Sequence, residues 1–181
     1  DSGCGAWLFE PESTNRITYS ELFSDASWAN SGGSTITNNY GISPDGKQNS
    51  TRVQGNANTI IYQLLNSPFD GARSIYVRAT SGSGNIQLLS HNSNTDNVFE
   101  IDTNWKRVEI SNASLINQNF YAVDMRGAAT DIFDIEIWGC QYEIANSLGY
   151  NGEYATSYIP TENGIKTRNQ DLCNNGGDVS L

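Results

Sequence analysis

Asp134-Ile135-Glu136-Ile137-Trp138-Gly139-Cys140-Gln141-Tyr142-Glu143, followed by Glu153-Tyr154-Ala155-Thr156-Ser157-Tyr158-Ile159-Pro160-Thr161-Glu162-Asn163-Gly164, is the stretch that decides the fold. Around its first half the side chains alternate. Phe133, Ile135 and Ile137 fall on one face of an extended chain, and Asp134, Glu136 and Trp138 on the other. A period of two marks a strand that buries one side. The second half, with its small polar residues and Pro160, reads as the exit loop of that strand. The pair therefore predicts the closing strand of a β-sandwich.

The rest of the chain punctuates itself in the same way. Ser34–Tyr40, Thr59–Leu65, Ser74–Ala79, Ile86–Ser90, Val98–Ile101, Arg107–Ile110, Phe120–Met125 and Ile132–Trp138 read as strands, and Trp7-Leu8-Phe9 and Ile17-Thr18-Tyr19 as shorter ones. Clusters of Gly, Asn, Ser and Asp separate them. Ser43-Pro44-Asp45-Gly46 is a turn with a mechanism, because proline presets φ and glycine accepts positive φ. About ten strands at this spacing, with no amphipathic helix among them, predict an all-β antiparallel sandwich or barrel. Phe23 and Trp28 are large apolar anchors for its core.

Composition sets the outer bounds. A chain of 181 residues suits one compact domain whose core can fold without metal or disulfide, so no cofactor is required. Only 37% of residues are hydrophobic, and 22 Asn and 17 Gly point to extensive loops and solvent-facing strand. A formal charge of −10 argues against nucleic acid and other partners rich in phosphate or sulfate, and leaves neutral or cationic ligands open. No apolar run is long enough to insert in a membrane as a helix. Asp1 opens no signal-peptide pattern, so any targeting segment would lie outside this sequence. Cys4, Cys140 and Cys173 are too scattered for a metal site of paired spacing. Cys4 and Cys173 stand near opposite ends of the chain, and sandwich termini often lie close together. They can be bridged in an oxidising compartment, and two free thiols are the other reading. Cys140 reads as a small buried side chain.

The closing segment resembles the last strand and exit of jelly-roll, carbohydrate-binding-like modules found in phage tail proteins and secreted polysaccharide-active proteins. Its Ile137-Trp138-Gly139-Cys140-Gln141-Tyr142-Glu143 and Thr156-Ser157-Tyr158-Ile159-Pro160-Thr161 carry that likeness. Phe9-Glu10-Pro11-Glu12-Ser13-Thr14-Asn15-Arg16-Ile17-Thr18-Tyr19-Ser20-Glu21, Ile42-Ser43-Pro44-Asp45-Gly46, Ser74-Ile75-Tyr76-Val77-Arg78-Ala79 and Asn104-Trp105-Lys106-Arg107-Val108 extend it in order along the chain. The resemblance implies a galactose-binding-like jelly roll over residues 15–165. Residues 1–14 would flank it, and residues 166–181 look like a linker into a further laminin-G-like sandwich. It also implies an extracellular or virion-associated parent protein. A structural calcium ion, held by carboxylates and carbonyls between the first and last strands, is a further implication, with Glu21 and Asp134 nearest that role. Where related sugar-binding modules read Ile-Asp-Asp-Val, however, this chain has Ile137-Trp138-Gly139-Cys140.

Strand parity locates a candidate ligand surface. With Ile75, Val77 and Ala79 in the core, Ser74, Tyr76 and Arg78 face outward, and Trp105, Arg107 and Glu109 do the same opposite Val108 and Ile110. Aromatic rings cover the C–H face of a sugar, and Arg and carboxylate groups bond its hydroxyls. Tyr62 and Gln87 are candidates on flanking strands; Tyr150, Tyr154 and Tyr158 lie in a Gly-containing loop that could line a rim, with Tyr158, before Ile159-Pro160, reading as the loop's anchor. Trp28 and Trp138 read as core packing. Catalysis finds little footing, since His91, the one histidine, stands in a polar hairpin loop and the Asp134/Glu136 pair is of a kind common on solvated sheets. Ser81-Gly82-Ser83-Gly84 reads as a hairpin connection and no phosphate loop. The expected function is a non-catalytic module that attaches its parent protein to a polysaccharide or cell-surface glycan, with avidity across copies making up for weak single sites. A spacer or oligomerisation domain of a tail fibre or adhesin, within a homotrimeric parent, is the second reading. A polysaccharide lyase or hydrolase is the third.

Overall fold

A computed structural model describes residues 10–65, 71–87, 98–113, 120–144 and 154–170, except for the side chains of 111–113. Among them are twelve strands and no helix: β1 (Ser13–Asn15), β2 (Ala29–Ser31), β3 (Thr35–Thr37), β4 (Thr51–Gln54), β5 (Ile60–Leu64), β6 (Gly71–Ala79), β7 (Gly84–Gln87), β8 (Val98–Ile101), β9 (Lys106–Ala113), β10 (Phe120–Asp124), β11 (Asp134–Ile144) and β12 (Lys166–Arg168). A five-stranded sheet runs β3-β4-β11-β6-β9 and a three-stranded sheet β10-β5-β2, with β7-β8 and β1-β12 as two-stranded ribbons. Every pairing is antiparallel.

The two larger sheets enclose one core. Val53, Ile75, Val77, Val108, Ile135 and Ile137 of the first meet Ile61, Tyr121 and Val123 of the second, and Ile86 and Ile101 of the β7-β8 ribbon join the same cluster. Burying one such side chain fully stabilises the fold by roughly 1.5–3 kcal/mol. Phe23 and Trp28 pack as expected, with ring centroids 4.9 Å apart, and Tyr121 meets Trp28 edge-on at 6.0 Å. The chain is thus an all-β antiparallel sandwich, the class that the alternating apolar pattern predicts.

β11 lies at the centre of its sheet between β4 and β6, and its nine interior residues are all buried. Its periodicity is broken once. Trp138 pairs with Tyr76, but the next pair is Gln141 with Ser74, so β11 spends three residues where β6 spends two. This is a β-bulge, and Gly139 takes the required positive φ of 65°. The extra residue resets parity: Ile135 and Ile137 point into the core before it, Cys140 and Tyr142 after it. Strand β11 therefore runs well past Trp138, where the alternation in the sequence stops.

Asn15 holds the bulge in place. Its Nδ2 donates to the carbonyls of Cys140 (3.0 Å) and Ile159 (2.8 Å), and its Oδ1 accepts from the backbone N–H groups of Tyr142 and Ile17 (both 3.1 Å). Next to it Ser20 Oγ accepts from the Thr161 N–H at 2.9 Å and meets the Tyr158 hydroxyl at 2.6 Å, and the Ser20 carbonyl accepts the Cys140 N–H. Thr161 Oγ1 donates to the Ile17 carbonyl at 2.7 Å. The first and last sequence blocks of the family resemblance thus meet each other in space.

Ile17-Thr18-Tyr19 departs from the strand expected there. Tyr19 has φ of 49° and the chain turns at it, because its N–H bonds the Glu162 carbonyl and follows the 154–163 segment instead of a strand neighbour. Ile17 is buried in the core and Tyr19 packs against it. The β1-β12 pairing and the Glu10–Arg168 ion pair carry ordered structure beyond both ends of the expected 15–165 unit. Ser81–Gly84 does join two strands, but β6 and β7 belong to different sheets, so it is a crossing and no hairpin. Trp7–Phe9, Cys4, Cys173, His91 and Tyr150 lie outside the described residues.

Candidate functional site

The outer face of the five-stranded sheet carries a grid set by strand register. β11, β6 and β9 lie side by side, so outward side chains form rows across them. The middle row is Trp138, Tyr76 and Arg107, in direct register. On one side stand Glu136 and Arg78, paired across strands, with the Trp105 ring 4.7 Å from the Arg78 guanidinium carbon. On the other side stand Gln141, Ser74 and Glu109. Parity in the sequence had predicted Tyr76, Arg78, Trp105, Arg107 and Glu109 on one surface, and the register brings them together.

Two loops roof parts of this grid, which the sequence did not reveal. The 39–50 segment covers the Glu136 row: Ser50 Oγ donates to Glu136 Oε2 at 2.6 Å, the Trp105 indole N–H donates to the Ile42 carbonyl at 2.9 Å, and Gly41 passes so close to Glu136 that a Cβ there would overlap it. Arg78 completes that row with an ion pair to Glu136 at 2.8 Å. Glu136 is buried, so Arg78 serves first as its counter-ion. The 154–161 segment covers the Gln141 row, where Gln141 and Glu143 bond the backbone of Thr156 and Ile159. Tyr158 lies over the bulge, with its ring 3.4 Å from where a Gly139 Cβ would stand and 4.6 Å between centroids from Trp138. It is the loop anchor. Trp138 is therefore buried as expected, but under Tyr158 on the outer face and not between the sheets.

Between the roofs the surface is more open. Tyr76 is half-buried, its ring 5.4 Å from that of Trp138, and the Arg107 guanidinium carbon sits 5.6 Å from its centroid. Arg107 Nη2 donates to Ser74 Oγ (2.9 Å) and the Thr156 carbonyl (2.6 Å). Glu109 is exposed, and Trp105 at the sheet edge also borders a hollow of about 560 Å³ lined by Ser83, Glu100, Asp102, Asn104 and Lys106. An aromatic platform with flanking donors and acceptors can stack a pyranose and bond its hydroxyls.

Two expected members lie elsewhere. Tyr62 is on β5 in the three-stranded sheet, edge-on to Phe120 at 5.0 Å, and Gln87 is on β7 in the separate ribbon, nearly buried, its N–H bonded to Thr130. Neither strand flanks β6 or β9, because neighbours in a sheet need not be neighbours in sequence. Tyr154 is exposed. Of the calcium candidates, Asp134 is taken up by Arg52 at 2.6 Å, and the Arg52 hydrogen bond holds its carboxyl below the usual range. Glu21 accepts from the Tyr158 hydroxyl and the Asn49 amide. Among the described residues no three His, Cys, Asp or Glu groups converge to hold a metal. Burial pushes the Cys140 thiol and the Tyr158 phenol up.

No family model matches this sequence, and no curated protein does. Five solved chains match in structure. One is the Clostridium thermocellum N-terminal endo-1,4-β-D-xylanase 10B, in a structure of its CBM22-1–GH10 modules complexed with xylohexaose, with a TM-score of 0.48 and 16% identity. The match covers 78% of this chain and 30% of that one. The fold assignment above rests on the sheets themselves.

Proposed function

We propose that this chain is a non-catalytic carbohydrate-binding module that attaches a larger extracellular or virion-associated protein to a polysaccharide, through the outer face of its five-stranded sheet. The observation that carries the reading is the in-register row Trp138-Tyr76-Arg107, with Trp105 and Glu109 beside it and a roofing loop on either side. A half-buried ring held rigid by a second ring offers a stacking surface at little entropic cost. The sequence resemblance to jelly-roll sugar-binding modules supports the same conclusion. A non-catalytic role is supported by Asp134 and Glu136, the same-face pair on β11, each of which is spent on an arginine.

Affinity electrophoresis against a panel of polysaccharides tests the reading. Tyr76→Ala and Trp105→Ala should each weaken retardation roughly tenfold or more, as loss of a stacking ring commonly does, while the melting temperature falls only a few degrees. Retention of full binding by both variants would place the site elsewhere. No retardation by any polymer, together with a stable trimer in sedimentation, would instead favour the spacer role, and release of reducing sugar would favour the lyase or hydrolase.

A further inference from the structure

The middle row of the outer face has more donors than acceptors. The Trp138 indole Nε1 is buried with no hydrogen-bond partner among the described residues, and so is Arg107 Nε. Trp138 is only 5% exposed. Arg107 spends Nη2 on two neutral acceptors, Ser74 Oγ and the Thr156 carbonyl, and its other terminal nitrogen, Nη1, carries no hydrogen bond among the described residues. Among the described residues no carboxylate pairs with it. Glu109, two residues along the same face of β9, is not in ion-pair contact, whereas Arg52, Arg78, Arg126 and Arg168 each hold an Asp or Glu. In a chain of net charge −10 a half-buried arginine without a counter-ion among the described residues is conspicuous, because carboxylates are abundant and buried donors are costly to leave unmet.

We infer that Arg107 reads a carboxylate on the glycan, so that the ligand class is a polysaccharide bearing uronate groups at intervals along an otherwise neutral chain. The inference rests on the carbohydrate-binding reading above. Tyr76 and Trp105 supply aromatic surface for pyranose rings, and the Arg107 guanidinium, lying over the Tyr76 ring with its carbon 5.6 Å from the centroid, is the cation that a carboxylate of a sugar bound there would meet. Charge-assisted bonds from arginine to carboxylate are roughly twice as strong as neutral ones. The same net charge limits the ligand, since a densely anionic polymer would be repelled by the rest of the surface, while an occasional uronate meets one local cation.

The test uses glucuronoxylan, partly methyl-esterified pectin and xanthan, each alongside its own carboxyl-reduced form, in calorimetry or affinity electrophoresis at about 0.15 M salt, where surface repulsion is mostly screened beyond ~8 Å. At least one native polymer should bind roughly tenfold more tightly than its carboxyl-reduced form, the loss typical of one charge-assisted bond. Arg107→Gln should erase that difference, and Arg107→Lys should restore part of it. Arg107 also bonds Ser74 and Thr156, so Glu109→Gln is the second probe: it removes an exposed neighbouring carboxylate and should widen the preference for the native over the carboxyl-reduced polymer, whatever it does to the affinity for both. Equal binding of native and reduced forms, or a difference that survives Arg107→Gln, would overturn the inference while leaving sugar binding intact. Failure of all six polymers would overturn sugar binding and the inference together.

Discussion

The bulge of β11 and the row beside it on β6 and β9 share one face of one sheet, yet their polar groups are treated in opposite ways. At the bulge, Asn15 satisfies four backbone groups, and Ser20, Thr161 and Tyr158 close the circuit around it. A short distance along the sheet, Arg107 lacks a counter-ion and Trp138 Nε1 an acceptor among the described residues. Saturated networks rigidify a fold, and unsatisfied donors near a surface mark where something else can bind. The residues that carry the family likeness, Thr14-Asn15, Tyr19-Ser20-Glu21 and Thr156 to Thr161, fall mostly in the saturated region. They explain why the sandwich closes, and say less about what it holds. Ligand choice lies with the neighbouring row.

That contrast can be broken by substitution, since changes at the bulge should cost stability and spare affinity. Asn15→Ala has the largest expected effect. It strands two carbonyls and two N–H groups in a buried site, costing about 3–5 kcal/mol, which for a domain of this size lowers the melting temperature by roughly 10 °C. Affinity measured well below the transition should stay within twofold, and a tenfold loss would mean that the two regions are one. Gly139→Ala comes next at about 1–2 kcal/mol, because alanine at φ of 65° is strained. Chemical denaturation reads it directly.

Tyr158→Phe should cost about 1 kcal/mol by deleting the hydroxyl contacts to Ser20 and Glu21. It also carries a pH signature. Burial raises the Tyr158 phenol, so its neutral form is favoured in the fold: this contribution is complete below the ordinary tyrosine pKa of about 10 and declines as pH rises beyond it. The variant should blunt the alkaline loss of stability without abolishing it, because the Tyr121 phenol is raised as well. The smallest effect belongs to Asp134→Asn at the far side of the sheet. Its carboxyl is depressed by Arg52, so that pairing stabilises above the ordinary carboxylate pKa of about 4 and is lost as pH falls below it. The pair is partly exposed and screened, so about 0.2–1 kcal/mol is at stake, seen as a shallower acid limb in urea titrations.

Arg78 sharpens the comparison further. In the sequence it is indistinguishable from Arg107, since both are outward-facing arginines on predicted strands beside an aromatic residue. In the structure Arg78 neutralises buried Glu136 and Arg107 neutralises nothing among the described residues. Arg78→Ala should therefore lower stability by about 1–3 kcal/mol by stranding that carboxylate, and an accompanying loss of binding would follow from the fold. Arg107 is the residue whose substitution reports on the ligand.

Local periodicity alone was enough to determine the all-β class, the inward set Ile75, Val77, Ala79, Ile135 and Ile137, and the outward set Tyr76, Arg78, Trp105, Arg107 and Glu109. Pleating sends alternate side chains to opposite faces whatever the partner strand, so that information is present in any window of a few residues. Which strands become neighbours, and what covers them, depends on contacts between residues far apart in the chain. Tyr62 and Gln87 fell away from the patch for that reason. The same cause hid β4 and β2, short polar strands defined by their partners, and the parity shift at Gly139, which exists because Asn15 arrives from the other end of the chain to support it. Only the folded sheet could separate two arginines alike in sequence, because a counter-ion is a neighbour in space.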